Sequence, residues 1–154
     1  MKIISGDITL LAYKFDIIIH GCNCFNTMGA GVAKSIRKKF PLAYKTDCLT
    51  IKGDKSKLGT ISYCRVNENN KELIIVNAYT QYHYWSKNND ILLDYNALRN
   101  AFKLIKKEFG LQNKKIAFPR IGAGLAKGNW EKIEQIIKKE LVDEDITLIN
   151  YSNK

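Results

Sequence analysis

The segment from Phe15 to His20, FDIIIH, constrains the fold more than any other part of the chain. Three consecutive isoleucines leave no polar face, so a strand built from them has to be covered on both sides, as in a sheet packed between two layers of helices. Apolar strands are also predicted at Lys2–Ile4, Lys115–Phe118 and Ile146–Tyr151. Thr60–Val66 and Glu72–Asn77 read as two more, joined by the polar hairpin signal Asn67–Glu68–Asn69–Asn70. Helical patterns lie between the strands. Val32, Ala33, Ile36 and Phe40 recur at helical spacing within Gly29–Phe40, and Pro41 either ends that helix or begins the next. Ile91–Phe109 predicts a long amphipathic helix closed by Gly110. Asn129 is expected to cap a helix running to about Leu141, with Glu131 in its first turn. Strands alternating with helices predict an α/β fold, namely a three-layer α/β/α sandwich around a mixed, mostly parallel sheet of about six strands. One domain over residues 1–154 is expected.

A chain of 154 residues buries enough surface to hold itself together without metal or disulfide. Cys22, Cys24, Cys48 and Cys64 are therefore read as free thiols of a reducing, cytoplasmic-type compartment. No secretory leader is expected, because Met1–Lys2 runs straight into an apolar strand. No apolar run approaches the roughly 20 residues of a membrane helix, so no membrane partner is expected. The formal net charge of +10, from 25 basic and 15 acidic residues, favours anionic partners. It fits nucleic acid and nucleotide diphosphates alike. The lysines are spread along helices rather than gathered in one run, which is also the pattern of an ordinary solvated surface.

Two loops carry the chemistry. After the FDIIIH strand comes Gly21-Cys22-Asn23-Cys24-Phe25-Asn26-Thr27-Met28-Gly29-Ala30-Gly31-Val32, a glycine- and asparagine-rich turn that opens a helix. After Lys115–Phe118 comes Pro119-Arg120-Ile121-Gly122-Ala123-Gly124-Leu125-Ala126-Lys127-Gly128, which also opens a helix. Glycine lets a phosphate approach the backbone, and a helix start offers free N–H groups and partial positive charge. Each loop alone also fits a simple strand-to-helix turn. Two of them can close on one diphosphate from both sides. Neither matches the P-loop pattern or a dinucleotide-binding fingerprint. Gly6-Asp7-Ile8-Thr9 follows the first strand, and Asp7 reads either as an acceptor for an exocyclic adenine amine or as a turn or helix-cap aspartate.

In order and spacing, Gly6-Asp7-Ile8, Met28-Gly29-Ala30-Gly31-Val32-Ala33 and Pro119-Arg120-Ile121-Gly122-Ala123-Gly124-Leu125 with Trp130 resemble the macrodomain family over nearly the whole chain. The branch resembled includes fungal ADP-ribose-1″-phosphate phosphatase, the terminal ADP-ribose glycohydrolase and small phage and bacterial members. The resemblance implies that Asp7 and the Ile8 backbone meet the adenine. It implies that Gly21, Asn23 and the Met28, Gly29, Ala30, Gly31, Val32 loop surround the distal ribose and a phosphate. It further implies that Pro119, Ile121, Gly122, Ala123, Gly124 and Leu125 form the diphosphate loop, with Tyr151 against the adenosine. The glycohydrolase pattern of a lysine at the end of the fourth strand and an aspartate in the second loop is not met. Val76-Asn77-Ala78-Tyr79 has no lysine, and Ala126 stands where the acid would sit.

Of the two histidines, His20 reads as a packed core residue. His83, in the aromatic segment Asn77–Trp85, reads as a general acid/base or an ordinary loop residue. Asn23 and His83 are the candidate catalytic residues, for removal of phosphate from ADP-ribose-1″-phosphate. The alternatives are hydrolysis of ADP-ribosyl links to protein or nucleic acid, a non-catalytic ADP-ribose reader, and a basic nucleic-acid-binding domain in which the aromatic segment stacks bases. His20-x-Cys22-x-Cys24 lacks the second ligand pair of a zinc site, and Cys24 has no identifiable histidine partner, so neither metal, cofactor nor cysteine nucleophile is expected. The chain is expected to act as a monomer.

Overall fold

The computed structural model describes residues 1–151. Among them, six strands form one mixed sheet in the order β1-β6-β5-β2-β4-β3. The strands are β1 Lys2–Gly6, β2 Ile17–Cys22, β3 Ile61–Glu68, β4 Lys71–Tyr79, β5 Lys115–Phe118 and β6 Asp145–Tyr151. Only the β3–β4 hairpin is antiparallel, and Asn69 and Asn70 turn it with positive φ. The pairings β1–β6, β6–β5, β5–β2 and β2–β4 are all parallel. Five strands therefore end at one edge of the sheet, where ligands bind in open α/β folds.

Alternation along the strands supplies both faces. Ile17, Ile19, Ile74, Val76, Ile116 and Phe118 face a core completed by Leu98, Phe102 and Ile105 of α4 (Tyr95–Phe109) and Ile133 and Ile137 of α5 (Trp130–Glu140). Ile18, Leu73, Ile75, Tyr79 and Ala117 face the opposite way. They meet Ile8 of α1 (Ile8–Leu11), Ile36 of α2 (Gly31–Lys39) and Ala43 of α3 (Pro41–Cys48). The three-layer arrangement follows from the two apolar faces of each central strand.

The expected helix boundaries shift at two places. Ile91–Asp94 is not helical: α4 begins at Tyr95, with the Asp94 carboxylate accepting from the Ala97 amide at 2.9 Å. The Leu92 and Leu93 amides instead donate to the Ala126 carbonyl, and Leu93 packs beneath the second loop. The apolar residues that extended the helical pattern thus serve as a support for that loop. Gly29 and Ala30 likewise precede α2, and Ala30 is extended at its N-cap.

Candidate functional site

The shared strand edge carries a cleft of about 940 Å³. One wall is the loop after β2. Asn23 pins it from within, with Oδ1 accepting from the Phe25 amide at 2.8 Å and Nδ2 donating to Thr27 Oγ1 at 2.7 Å. Lys57, buried behind the loop, donates to the Cys24 carbonyl at 3.2 Å and to Asn26 Oδ1 at 2.6 Å. Asn26, Met28 and Gly31 adopt positive φ as the chain turns into α2. Helices α1, α4 and α5 have Asp7, Asp94 and Asn129 as side-chain caps, whereas the N-cap of α2, Ala30, supplies none. Among the described residues the first-turn amides of α2, on Gly31, Val32 and Ala33 of the cleft lining, have no protein acceptor, and they carry the positive end of the helix dipole.

The other wall is the loop after β5. It is closed by Gly128 N donating to Gly122 O at 2.6 Å and Lys127 N donating to Gly124 O at 3.0 Å. The Ala123 amide is used internally, by Arg120 O at 3.2 Å. The amides of Gly122, Gly124 and Leu125 make no hydrogen bond among the described residues. Gly122 has φ +75°, and a Cβ there would lie 2.7 Å from Leu93 Cδ1. The two walls meet: a Cβ built on Gly31 would stand 3.8 Å from Leu125 Cδ1. The two glycine loops thus bring unpaired amides to one space, an arrangement suited to bridging phosphates.

Gly21, Asn23, Met28–Val32, Pro119, Ile121–Leu125 and Tyr151 all line this cleft. Asp7 and Ile8 line a small adjoining pocket that shares Val32, Pro119, Ile149 and Tyr151 with it. Asp7 also caps α1, accepting from the Thr9 amide at 2.8 Å, so its structural role is filled whether or not it meets a ligand. His83 is exposed and lies outside the cleft lining, stacked on Phe25 with centroids 4.9 Å apart. Gln81 and Tyr84 from the same segment do line the cleft.

His20 is buried, and burial depresses its pKa to about 4, so the ring is neutral. Its Nε2 lies 2.6 Å from Asn77 Oδ1. Burial likewise pushes the Cys24 thiol up to about 11 and Cys22 further up, which leaves neither as a thiolate. Among the described residues no group of three or more His, Cys, Asp or Glu is placed to hold a metal.

Sequence reasoning missed Asp47. It lies on α3, is 1% exposed, and lines the cleft. Tyr79 Oη donates to its Oδ1 at 2.7 Å, whereas Oδ2 has no partner among the described residues. Phe40, Ala43 and Asp47 fall on one face of the helical pattern, and that spacing is the available signal for a buried carboxylate.

A mostly parallel α/β sheet with an amide-lined cleft at its carboxyl edge defines a binding protein or enzyme for a phosphorylated ligand. The family model "Macro domain" matches residues 19–137, and the chain belongs to that family. It is 38% identical over 156 residues to an uncharacterized 17.5 kDa protein of Enterobacteria phage T4 from the tk-vs intergenic region, covering 98% of this chain and 96% of that protein. It is 30% identical over 146 residues to an ADP-ribose 1″-phosphate phosphatase of Debaryomyces hansenii, covering 80% and 82%. Its fold is shared by Thermosipho africanus DarTG, whose structure is in complex with ADP-ribose, at a TM-score of 0.74 and 16% identity over 100% of this chain and 43% of that one.

Proposed function

We propose that the cleft binds ADP-ribose lengthwise along the carboxyl ends of the strands, and that the chain removes the terminal phosphate of ADP-ribose-1″-phosphate. The observation that carries this reading is the convergence of the two loops, whose unpaired amides border one cleft at the starts of a helix and a turn. Asp7 follows edge strand β1, the two loops follow the central strands β2 and β5, and Gln81 and Tyr84 follow β4. An adenine beside Asp7 would put the diphosphate between the loops and the distal ribose over β2 and β4. The family and the 30%-identical phosphatase support the choice of nucleotide and of reaction.

In this reading the backbone amides hold the phosphoryl oxygens and stabilise charge as it builds on them. Asn23, tied to Thr27 and Phe25, keeps the first loop in the shape that meets the ribose. The test pairs calorimetry with ADP-ribose and phosphate release from ADP-ribose-1″-phosphate. Binding with release supports both parts of the proposal. Binding without release leaves an ADP-ribose-binding domain and ends the phosphatase assignment. Asn23→Ala should weaken both readouts. His83→Ala, outside the cleft lining, should leave release within about threefold of the parent.

A further inference from the structure

Asp47 stands at the end of an ordered chain of buried polar groups. Asn77 Nδ2 donates to Ser62 Oγ at 3.1 Å and to the Ala43 carbonyl at 3.1 Å, so its Oδ1 is left to accept from His20 Nε2 at 2.6 Å. Ser62 Oγ lies 2.9 Å from Tyr79 Oη, and Tyr79 Oη donates to Asp47 Oδ1 at 2.7 Å. Because the Tyr79 proton is given to Asp47, Ser62 Oγ donates to Tyr79 Oη, and the bonds from His20 through Asn77, Ser62 and Tyr79 run toward Asp47. Oδ1 is thereby fixed as an acceptor, and any proton the carboxyl gains or loses is on Oδ2. Among the described residues Oδ2 is the buried oxygen without a partner, on a residue that lines the cleft. An unpaired buried carboxylate oxygen is costly to keep unless something in the cleft uses it.

Its position is informative. Tyr79 ends β4, on the opposite side of the two loops from β1 and Asp7. If ADP-ribose lies with its adenine at Asp7, the C1″ end arrives over β4, beside Asp47. This step rests on the binding mode proposed above.

We propose that Asp47 is a catalytic residue, the proton acceptor for the water that attacks the terminal phosphorus. Water oxygen bonds to phosphorus while Oδ2 takes one water proton. The bond from phosphorus to the C1″ oxygen breaks, its electron pair stays on that oxygen, and the sugar oxygen is protonated from solvent. Asp47 then returns its proton to solvent. Tyr79 is a positioning residue that holds Oδ1. Lys57 is another, with Nζ 4.9 Å from the Tyr79 ring centroid and its charge favouring the ionised carboxyl.

Burial raises the Asp47 pKa above the ordinary carboxylate value, against the lowering effects of the Tyr79 hydrogen bond and Lys57. The titratable groups near it are Tyr44 on its own helix, Cys22 at the end of β2, Cys24 in the loop that follows, Lys57, and Tyr79 on β4. Rate should therefore fall on the acid side at a pH above the ordinary range of an aspartate.

The experiment compares the parent, Asp47→Asn and Lys57→Met by calorimetry with ADP-ribose and by kcat and KM on ADP-ribose-1″-phosphate across pH. Asp47→Asn keeps the acceptor for Tyr79 and should bind ADP-ribose within about threefold while kcat falls about 100-fold or more and the acid limb disappears. Lys57→Met should move the acid limb upward in pH. Asp47→Asn turning over within about threefold of the parent with its acid limb intact would overturn the role of Asp47 and leave the phosphatase reading standing. A parent that binds ADP-ribose but releases no phosphate would overturn both the reaction and this role. A parent that gives no heat with ADP-ribose would remove the binding mode on which they rest.

Discussion

Gly124→Ala separates binding from folding. In most of this cleft a mutation disturbs both, because the lining residues also hold the loops. Gly124 is an exception: it lines the cleft, lies outside the positive-φ region, and a Cβ built on it meets nothing within 4 Å. With no clash and no strain, the main effect on stability is the reduced freedom of the unfolded chain, which stabilises by about 0.4–1 kcal/mol. For a domain of this size that raises Tm by roughly 1–4 °C. The same methyl occupies the space a phosphate needs to reach the unpaired amides of Gly124 and Leu125. Losing one hydrogen bond to a charged phosphoryl oxygen is worth about 1.5–3 kcal/mol, or roughly a 10- to 150-fold rise in Kd. Differential scanning calorimetry and titration with ADP-ribose measure the two effects on one sample. Gly122→Ala is the contrasting variant. Its positive φ and the 2.7 Å approach to Leu93 should cost about 2–4 kcal/mol of stability in addition to affinity. If Gly124→Ala binds ADP-ribose within twofold of the parent, the second loop does not grip the diphosphate and the argument for a shared cradle fails.

Three further outcomes follow from the fold and the buried polar groups. His20 has a folded-state pKa near 4 against an ordinary value of 6.5, so its contribution is intact above about pH 6.5 and is lost as pH falls toward 4. It should remove about 2 kcal/mol between pH 7 and pH 5, partly offset by Asp47, whose raised pKa acts in the opposite sense. Urea unfolding should show this slope, and His20→Gln should flatten it. Asp94→Ala removes the cap that holds the Ala97 amide and should cost about 1 kcal/mol in the same assay. Phe102→Ala, which empties a fully buried position facing Phe118, should cost about 3–5 kcal/mol.

The layers and the two loops were legible because each rests on a local signal. Ile17–Ile19 can only be a strand covered on both faces, and the loops after β2 and β5 announce themselves by glycine between a strand and a helix. What was not legible depends on packing between distant segments. Ile91–Leu93 carries the apolar content of a helix start, yet Leu93 is spent beneath Gly122 and Gly128, residues about thirty positions further along the chain. Asp47 gave only the signal of its spacing from Phe40 and Ala43, because a lone aspartate in a short helix reads as surface until Tyr79 is seen to close over it. His83 shows the reverse. Its neighbours Gln81 and Tyr84 reach the cleft, but its ring stacks on Phe25 outside the lining, a choice made by tertiary contact and not by residue type.

A crystal structure with ADP-ribose soaked into the protein tests the central claim most directly. The account predicts phosphoryl oxygens within hydrogen-bond reach of amides from both the Gly31–Ala33 turn and the Gly122–Leu125 turn, the adenine on the Asp7 side, and C1″ on the Asp47 side. A diphosphate held by only one turn, or a nucleotide lying away from the strand ends, would contradict it.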